Sequence, residues 1–134
     1  MSQQSYKVKS AVLRGVEALP VEVEVLISSG IPSFSIVGMP DTAIQESRER
    51  VRAAIKSAGF HVPSDKIVVN LAPSSLRKTG SGFDLPIALA LLAATGQIHV
   101  AHLENALVVG ELSLEGRVRS TAGLISYQEP GKMV

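Results

Sequence analysis

The sequence predicts an α/β domain of the α+β two-layer kind, with a β-sheet in one layer and helices in the other. Two segments with alternating apolar residues precede a long segment with helical spacing, and a strongly β-prone segment then precedes a second helical one. In chain order the predicted elements are three strands, a helix, a strand, a helix and two strands, or βββαβαββ. The 134 residues, 46% of them hydrophobic, suffice for a single core.

Three strands are predicted in the first forty residues. The first, 6–13, and the second, 21–27, alternate apolar and polar side chains, as half-buried strands do. In the second strand Glu22 and Glu24 are predicted to face solvent, while the aliphatic residues beside them face the core. A short third strand, 34–37, ends before a glycine.

The first helix is predicted over residues 42–58. Asp41 can accept hydrogen bonds from the free N–H groups of the first turn, and a glycine follows the last residue. Glu46 lies four residues before Arg50, the spacing of a solvent-exposed ion pair. One face is apolar and is predicted to pack on the sheet. Beside that face, three cations four residues apart form a basic stripe: Arg48, Arg52 and Lys56.

The second half of the chain is predicted to hold a buried strand, a buried helix and a hairpin. The strand, 66–71, is apolar enough to be central and buried on both faces. The helix is predicted to begin with Asp84 as its cap and to end before 95–96, and it carries almost no charge. Residues 106–112 and 117–119 are predicted to pair as a hairpin.

The composition excludes several functional classes. Without cysteine the chain has no thiolate chemistry, iron–sulfur cluster or cysteine-based zinc site. No apolar run reaches about 18 residues, and the N-terminus lacks a secretory signal, so a cytoplasmic location with no membrane partner is expected. The net charge is +1, so any contact with nucleic acid must come from local basic patches.

The loop at residues 77–82 is rich in glycine and lies between the buried strand and the second helix. Loops in this position often bind anions through backbone N–H groups. This loop is not a Walker A motif, because Lys78 precedes both glycines. One interpretation is a turn that permits close packing. The other is a DNA contact by Arg77 and Lys78, to which the basic stripe would add three cations, although such stripes are more often solvated faces.

Ser81 of the same loop is a candidate nucleophile, and Lys78 is the nearest candidate base in the sequence. A nucleophilic serine needs its base within about 3 Å, and serine is also common in turns. The three histidines are accompanied by no cysteine and no cluster of carboxylates, so no metal site is predicted: His61, His99 and His102.

Three blocks of sequence together resemble one family. They are residues 36–41 with 46–55, residues 69–73 with 80–88, and residues 109–118. They are similar to the N-terminal domain of the bacterial YifB/ComM proteins, which is labelled magnesium-chelatase-like or ChlI-like. The resemblance covers nearly all of residues 6–124.

The resemblance implies a fold similar to the proteolytic domain of Lon and to the second domain of a small-subunit ribosomal protein. This domain would occupy residues 1–124, followed by a tail at 125–134. In the family the domain precedes an AAA+ ATPase module, which this chain does not contain, so ATP and magnesium are implied for that module and no cofactor for this domain. The implied partners are the AAA+ module, neighbouring subunits of a hexamer, and DNA.

The similarity to Lon also implies a test for a Ser–Lys dyad. Ser81 would stand at the serine position, and the lysine position, directly after residues 122–124, is occupied by Ile125. Isoleucine cannot accept a proton, so Ser81 is interpreted as a relic or a turn residue, and no peptidase activity is expected. The expected function is assembly and DNA contact within an ATP-driven DNA-processing motor. The alternatives are a Ser–Lys hydrolase and a purely structural oligomerisation module.

Overall fold

The computed structural model describes residues 4–119. They form six strands and three helices: β1 (Gln4–Arg14), β2 (Glu17–Ser28), β3 (Ser33–Val37), α1 (Thr42–Gln45), α2 (Ser47–Ser57), β4 (Lys66–Ala72), α3 (Asp84–Ala94), β5 (Glu111–Leu112) and β6 (Val118–Arg119). Four strands make one sheet in the order β1-β2-β4-β3, and β5 pairs with β6. The predicted mixed α/β architecture is therefore confirmed.

β1 and β2 form a long antiparallel hairpin that pairs up to Arg14 and Glu17. The predicted alternation in β2 is confirmed, because Glu22 is exposed and Glu24 is half-buried. The four residues of the opposite face are buried in the core: Val21, Val23, Val25 and Ile27. Both strands are longer than predicted, since pairing between neighbours satisfies the backbone of polar residues as well as apolar ones.

β4 lies inside the sheet, antiparallel to β2 and parallel to β3, as its apolar sequence predicts. The prediction that both of its faces are buried is wrong, because Val68 and Asn70 are half-buried. The core residues of β4 all lie on the other face, where they join residues of the helices: Ile67, Val69 and Leu71. The described helices thus complete the core on one face of the sheet.

The predicted first helix is two helices, α1 and α2, which are separated at Glu46. Asp41 caps α1 as predicted, since its Oδ1 accepts a hydrogen bond of 2.8 Å from the Ile44 N–H. In a continuous α-helix the Ala43 carbonyl would accept from the N–H four residues later. Here Nη2 of Arg50 donates to that carbonyl at 3.0 Å, beside the break.

α3 packs across β1 and β2, and its predicted burial is confirmed. Most of its side chains are inaccessible or nearly so, including those of Ile87, Ala90 and Leu91. Its 11 residues make a helix about 16 Å long. Within residues 4–119 no helix has the length and apolar character needed to cross a membrane.

The prediction of a strand at 106–112 is mostly wrong, because only the last two of these residues form a strand. Earlier in this segment Leu107 makes a single parallel bridge with Lys9, and the Val108 N–H donates to the Lys9 carbonyl at 2.9 Å. The segment thus runs beside the outer edge of β1 without forming a continuous ladder. The predicted hairpin at its end is confirmed, since β5 and β6 pair antiparallel.

Candidate functional site

The candidate site lies where the parallel strands β3 and β4 end side by side. In open α/β sheets, ligands bind beyond the carboxyl ends of parallel strands. The chain leaves β3 through residues 38–41 and leaves β4 through residues 73–83. These two segments contact each other directly, and the second contains the glycine-rich loop.

Gly38 allows the first of these segments to pass very close to β4. Its φ is +103°, and a Cβ at this position would lie 2.1 Å from the carbonyl oxygen of Leu71. The next residue, Met39, also has a positive φ of 59°, which is uncommon for a residue with a side chain. The path of the segment therefore depends on its close fit against β4.

Asp41 and Lys78 join the two segments. The Asp41 N–H donates to the Lys78 carbonyl at 3.1 Å, and the Lys78 N–H donates to the Met39 carbonyl at 3.0 Å. The Asp41 carboxylate accepts from the N–H of Ile44 through Oδ1 and from the N–H of Gly80, at 3.0 Å, through Oδ2. One carboxylate thus caps α1 and holds the glycine-rich loop.

Lys78 is buried, which argues against the predicted contact of this residue with DNA. Its side chain is inaccessible to solvent. Nζ donates hydrogen bonds to the carbonyl oxygens of Gly38, at 2.8 Å, and of Pro73. Burial lowers the pKa of Lys78, because the charged amine loses its water shell. The side chain therefore holds the two segments together instead of reaching a ligand in solution.

Arg77 is exposed, as a DNA contact requires, and lies beside a second arginine. Nη2 of Arg14, the last residue of β1, donates to the Arg77 carbonyl at 2.7 Å. Arg14 is exposed too, so two guanidinium side chains occur at this edge of the sheet. Sequence reasoning missed Arg14. Its one signal is its place before the glycine of the first hairpin turn, and that signal does not reveal that the glycine-rich loop folds against it.

The basic stripe lies along α2, and its members have different environments. Arg48 donates to two backbone carbonyls, one of them that of Phe34 at 3.4 Å. The Arg52 guanidinium lies over the Phe34 ring, 5.4 Å from its centroid. Lys56 is exposed in the last turn of α2. Arg48 therefore holds α2 against β3, while Arg52 and Lys56 face a cleft.

The exposed arginine pair and the basic stripe lie at opposite ends of the sheet. Arg52 and Lys56 line their cleft together with Ser33 and Asp65, at the beginning of β3 and β4. Arg77 lies beyond the carboxyl end of β4. The five predicted DNA-binding residues therefore do not form one continuous patch, and DNA contact by the four that remain stays a prediction.

Ser81 is half-buried at the end of the glycine-rich loop. The amine of Lys78 donates to two carbonyl oxygens of other residues, and among residues 4–119 no hydrogen bond joins it to Ser81. The Ser81 carbonyl accepts from the Asp84 N–H at 3.3 Å, a contact typical of a turn that leads into a helix. Ile125 lies outside the described residues, so its place in a broken dyad stays a prediction.

Asp84 is not the helix cap that the sequence predicts. The residue before it, Phe83, already has helical dihedral angles and makes no side-chain capping bond. The Asp84 side chain turns inward and is inaccessible to solvent. Oδ1 accepts from the hydroxyl of Ser47, and Oδ2 accepts from the Leu112 N–H at 3.0 Å.

Arg50 completes this buried cluster. Its Nε lies 2.6 Å from Oδ2 of Asp84 and its Nη2 lies 3.1 Å from Oδ1, a two-point contact. The hydrogen bond to Asp84 raises the pKa of Arg50. The predicted surface ion pair between Arg50 and Glu46 is present but long, with 3.9 Å between Nη1 and Oε1. The cluster joins α2, α3 and β5, and it explains why a charged residue stands at the start of an otherwise apolar helix.

Across residues 4–119, no three histidine or carboxylate side chains come together in a way that could hold a metal ion.

Comparison with known proteins identifies a family and several relatives. The profile of the family described as subunit ChlI of Mg-chelatase matches residues 23–129. The protein YifB of Salmonella typhimurium is 49% identical over 112 residues, which are 84% of this chain and 22% of the relative. Competence protein ComM of Haemophilus influenzae is 45% identical over 111 residues, 83% of this chain and 22% of the relative.

A third relative is an uncharacterized protein of Mycobacterium bovis. It is 44% identical over 116 residues, which are 87% of this chain and 23% of the relative. The chain thus spans between a fifth and a quarter of the length of the curated relatives it matches.

Proposed function

The chain belongs to the family of subunit ChlI of Mg-chelatase, and on that basis we propose that it is a non-catalytic domain of an AAA+ ATPase that processes DNA. ATP and magnesium act in the AAA+ module, and this domain uses no cofactor of its own. The domain has a fold like that of the Lon proteolytic domain, extends to residue 124, and works in the cytoplasm. Its partners are the AAA+ module, neighbouring subunits of a hexamer, and DNA.

The position of Lys78 carries the non-catalytic part of this proposal. A serine nucleophile needs a base whose lone pair faces the hydroxyl. The Lys78 amine instead donates to the carbonyl oxygens of Gly38 and Pro73 and is sealed from solvent. A role in binding therefore fits this loop better than a role in hydrolysis.

The exposed cations support the DNA part of the proposal. Arg14 and Arg77 stand at one end of the sheet, and Arg52 and Lys56 stand at the other. β1 alone is 11 residues long, so the two ends are about 30 Å apart. A DNA strand that lies along the domain can contact both ends through its phosphates, which gives affinity without sequence preference.

Single-stranded DNA binding at several salt concentrations tests the proposal. With three or four phosphate contacts, the logarithm of the affinity should fall with the logarithm of salt at a slope of about −2 to −3. The double variant Arg14→Ala/Arg77→Ala should weaken binding and flatten the slope. Lys7→Ala is the matched control, because Lys7 is an exposed lysine whose side chain makes an ion pair of 3.8 Å with Glu22. Unchanged affinity and slope in the double variant would remove these arginines from the DNA path.

An assembly role without DNA is the second candidate, and a separate surface favours it. Phe60 and Val118 line an apolar cleft of about 140 Å³ between α2, α3 and the terminal hairpin. Val118 is 59% exposed, and the nearby hairpin residue Leu114 is 56% exposed. Exposed apolar surface of this kind marks protein contacts. If this role is the correct one, Val118→Ser will weaken self-association or binding to the AAA+ module. Neither the unsubstituted protein nor its variants will then bind DNA.

A further inference from the structure

A cleft of about 320 Å³ lies at the end of the sheet where β3 and β4 begin, away from Arg77. Arg52 and Lys56, one helical turn apart on α2, form one wall. The connection before β4, residues 62–65, also lines the cleft. Clefts that hold small ligands begin at about 300 Å³, so the space suits a ligand of modest size.

The α2 wall suits a phosphate group. The Arg52 guanidinium is held by its contact with the Phe34 ring, so less freedom is lost when it binds a ligand. Its carboxylate neighbour Glu49 lies 3.9 Å away and is 80% exposed, which makes a weak ion pair that a phosphate can displace. Lys56 adds a second positive charge on the same side.

The lining contributed by residues 62–65 suits a base. Val62 and Pro63 provide apolar surface, and Pro32 adds more beside them. Asp65 also lines the cleft, and its carboxylate would repel an isolated phosphate. A carboxylate does accept a hydrogen bond from an exocyclic amino group, as in known contacts with cytosine. The basic, apolar and acidic surfaces match the phosphate, the base ring and the amino group of a nucleotide better than they match a simple anion.

We infer that this cleft binds one nucleotide of a DNA strand, with the phosphate on Arg52 and Lys56 and a base amino group on Asp65. The inference rests on the proposed DNA contact and names its most specific point. It does not depend on Arg14 or Arg77, which lie at the other end of the sheet.

Titration of the isotopically labelled 134-residue chain, followed by amide NMR shifts, tests the inference. The probes are deoxycytidine monophosphate, deoxycytidine and inorganic phosphate. The monophosphate should shift the amides of residues 52–56 and 62–65 and should bind at least threefold more tightly than either other probe. Arg52→Gln and Lys56→Gln should each weaken the binding of the monophosphate about threefold, while Lys7→Gln should leave this affinity unchanged.

Asp65→Asn separates a nucleotide site from a phosphate site. Removal of the carboxylate should strengthen the binding of inorganic phosphate. It should also reduce the ratio by which deoxycytidine monophosphate binds more tightly than inorganic phosphate. Equal binding of the two probes, an equal gain for both in Asp65→Asn, or shifts outside the cleft would each overturn the inference.

The same variants keep the inference distinct from the proposed function. If Arg14→Ala/Arg77→Ala abolishes binding of single-stranded DNA while the cleft variants leave it unchanged, the cleft inference fails and the DNA proposal stands. If deoxycytidine monophosphate binds in the cleft but no form of the protein binds single-stranded DNA, the DNA proposal fails together with the assignment of the cleft to a DNA strand, and the cleft is a site for a free nucleotide.

Discussion

The amine of Lys78 donates a hydrogen bond of 2.8 Å to the carbonyl oxygen of Gly38, a residue 40 positions earlier in the chain. Gly38 can expose this carbonyl because its backbone, with φ +103°, passes against β4 at a distance that permits no side chain. The contact therefore depends on both residues. It stabilises the carboxyl end of the β3–β4 pair, where the glycine-rich loop begins.

Lys78→Met should lower the free energy of unfolding by about 1–3 kcal/mol. The substitution keeps the apolar stem but leaves the carbonyl oxygens of Gly38 and Pro73 without their donor. Urea denaturation measures the loss. Lys7→Met at an exposed position should change stability by less than about 0.5 kcal/mol. Full stability of Lys78→Met combined with weaker DNA binding would restore Lys78 as a phosphate contact.

The stability conferred by Lys78 should depend on pH in the alkaline range. Burial lowers the pKa of Lys78 from its ordinary value of 10.5, so between the pKa of the folded state and that of the unfolded state the unfolded chain binds more protons than the folded one. Stability relative to Lys78→Met should therefore rise as pH increases toward 10.5. Paired denaturation curves at several alkaline pH values measure this difference. A difference that falls over this range would show that the amine is better stabilised in its charged form than the burial implies.

Asp84→Asn should destabilise the protein by about 2–4 kcal/mol. The amide cannot make the charged two-point contact, so Arg50 loses its partner in a site that is mostly buried. Glu46→Gln removes only the exposed partner at 3.9 Å and should cost less than about 0.5 kcal/mol. Thermal and urea unfolding of both variants would compare them. Equal losses would mean that the buried pair contributes no more than the surface pair.

Gly38→Ala should cost at least about 3 kcal/mol, since the new methyl group would meet the Leu71 carbonyl at 2.1 Å. Gly15→Ala is a matched control, because Gly15 also has a positive φ, +62°, but has open space around it. The cost of Gly15→Ala should be limited to that of placing alanine at a positive φ, about 1 kcal/mol. Similar losses in the two variants would show that the β4 contact can relax.

Ser81 should not react with a serine-directed phosphonate. The nearest lysine in the sequence, Lys78, makes its hydrogen bonds to carbonyl oxygens and none to Ser81 within residues 4–119, so the hydroxyl lacks the contact with a base that activation requires. Mass spectrometry of the treated protein measures labelling. Labelling that disappears in Ser81→Ala would restore the hydrolase alternative.

The alternation of side chains made β1 and β2 predictable, and the short side chain of Asp41 before a helical segment made its cap predictable. Both predictions depend on residues that are close together in the sequence. The burial of Lys78 depends on a segment 40 residues away, so local patterns favour the usual exposed lysine. Asp84 was misassigned for the same reason, because its partners come from α2 and β5.

The candidate site was predictable to a similar degree. The place of the glycine-rich loop after a strand and before a helix indicates the edge of the sheet at which it lies. The sequence does not indicate that Arg14 joins Arg77 there, or that Arg52 and Lys56 fall at the opposite end. Those relationships follow from strand pairing between residues far apart in the chain.

The side chains that hold α1 and α2 on β3 also affect how this domain can associate with others. Arg48 donates to the Phe34 carbonyl, and Nε2 of Gln45 donates to the Ile36 carbonyl at 3.2 Å. At the opposite border of the sheet, the Val108 N–H already occupies the Lys9 carbonyl. An incoming β-strand would have to displace these donors on either side. Addition of a strand at these particular carbonyls is thus discouraged.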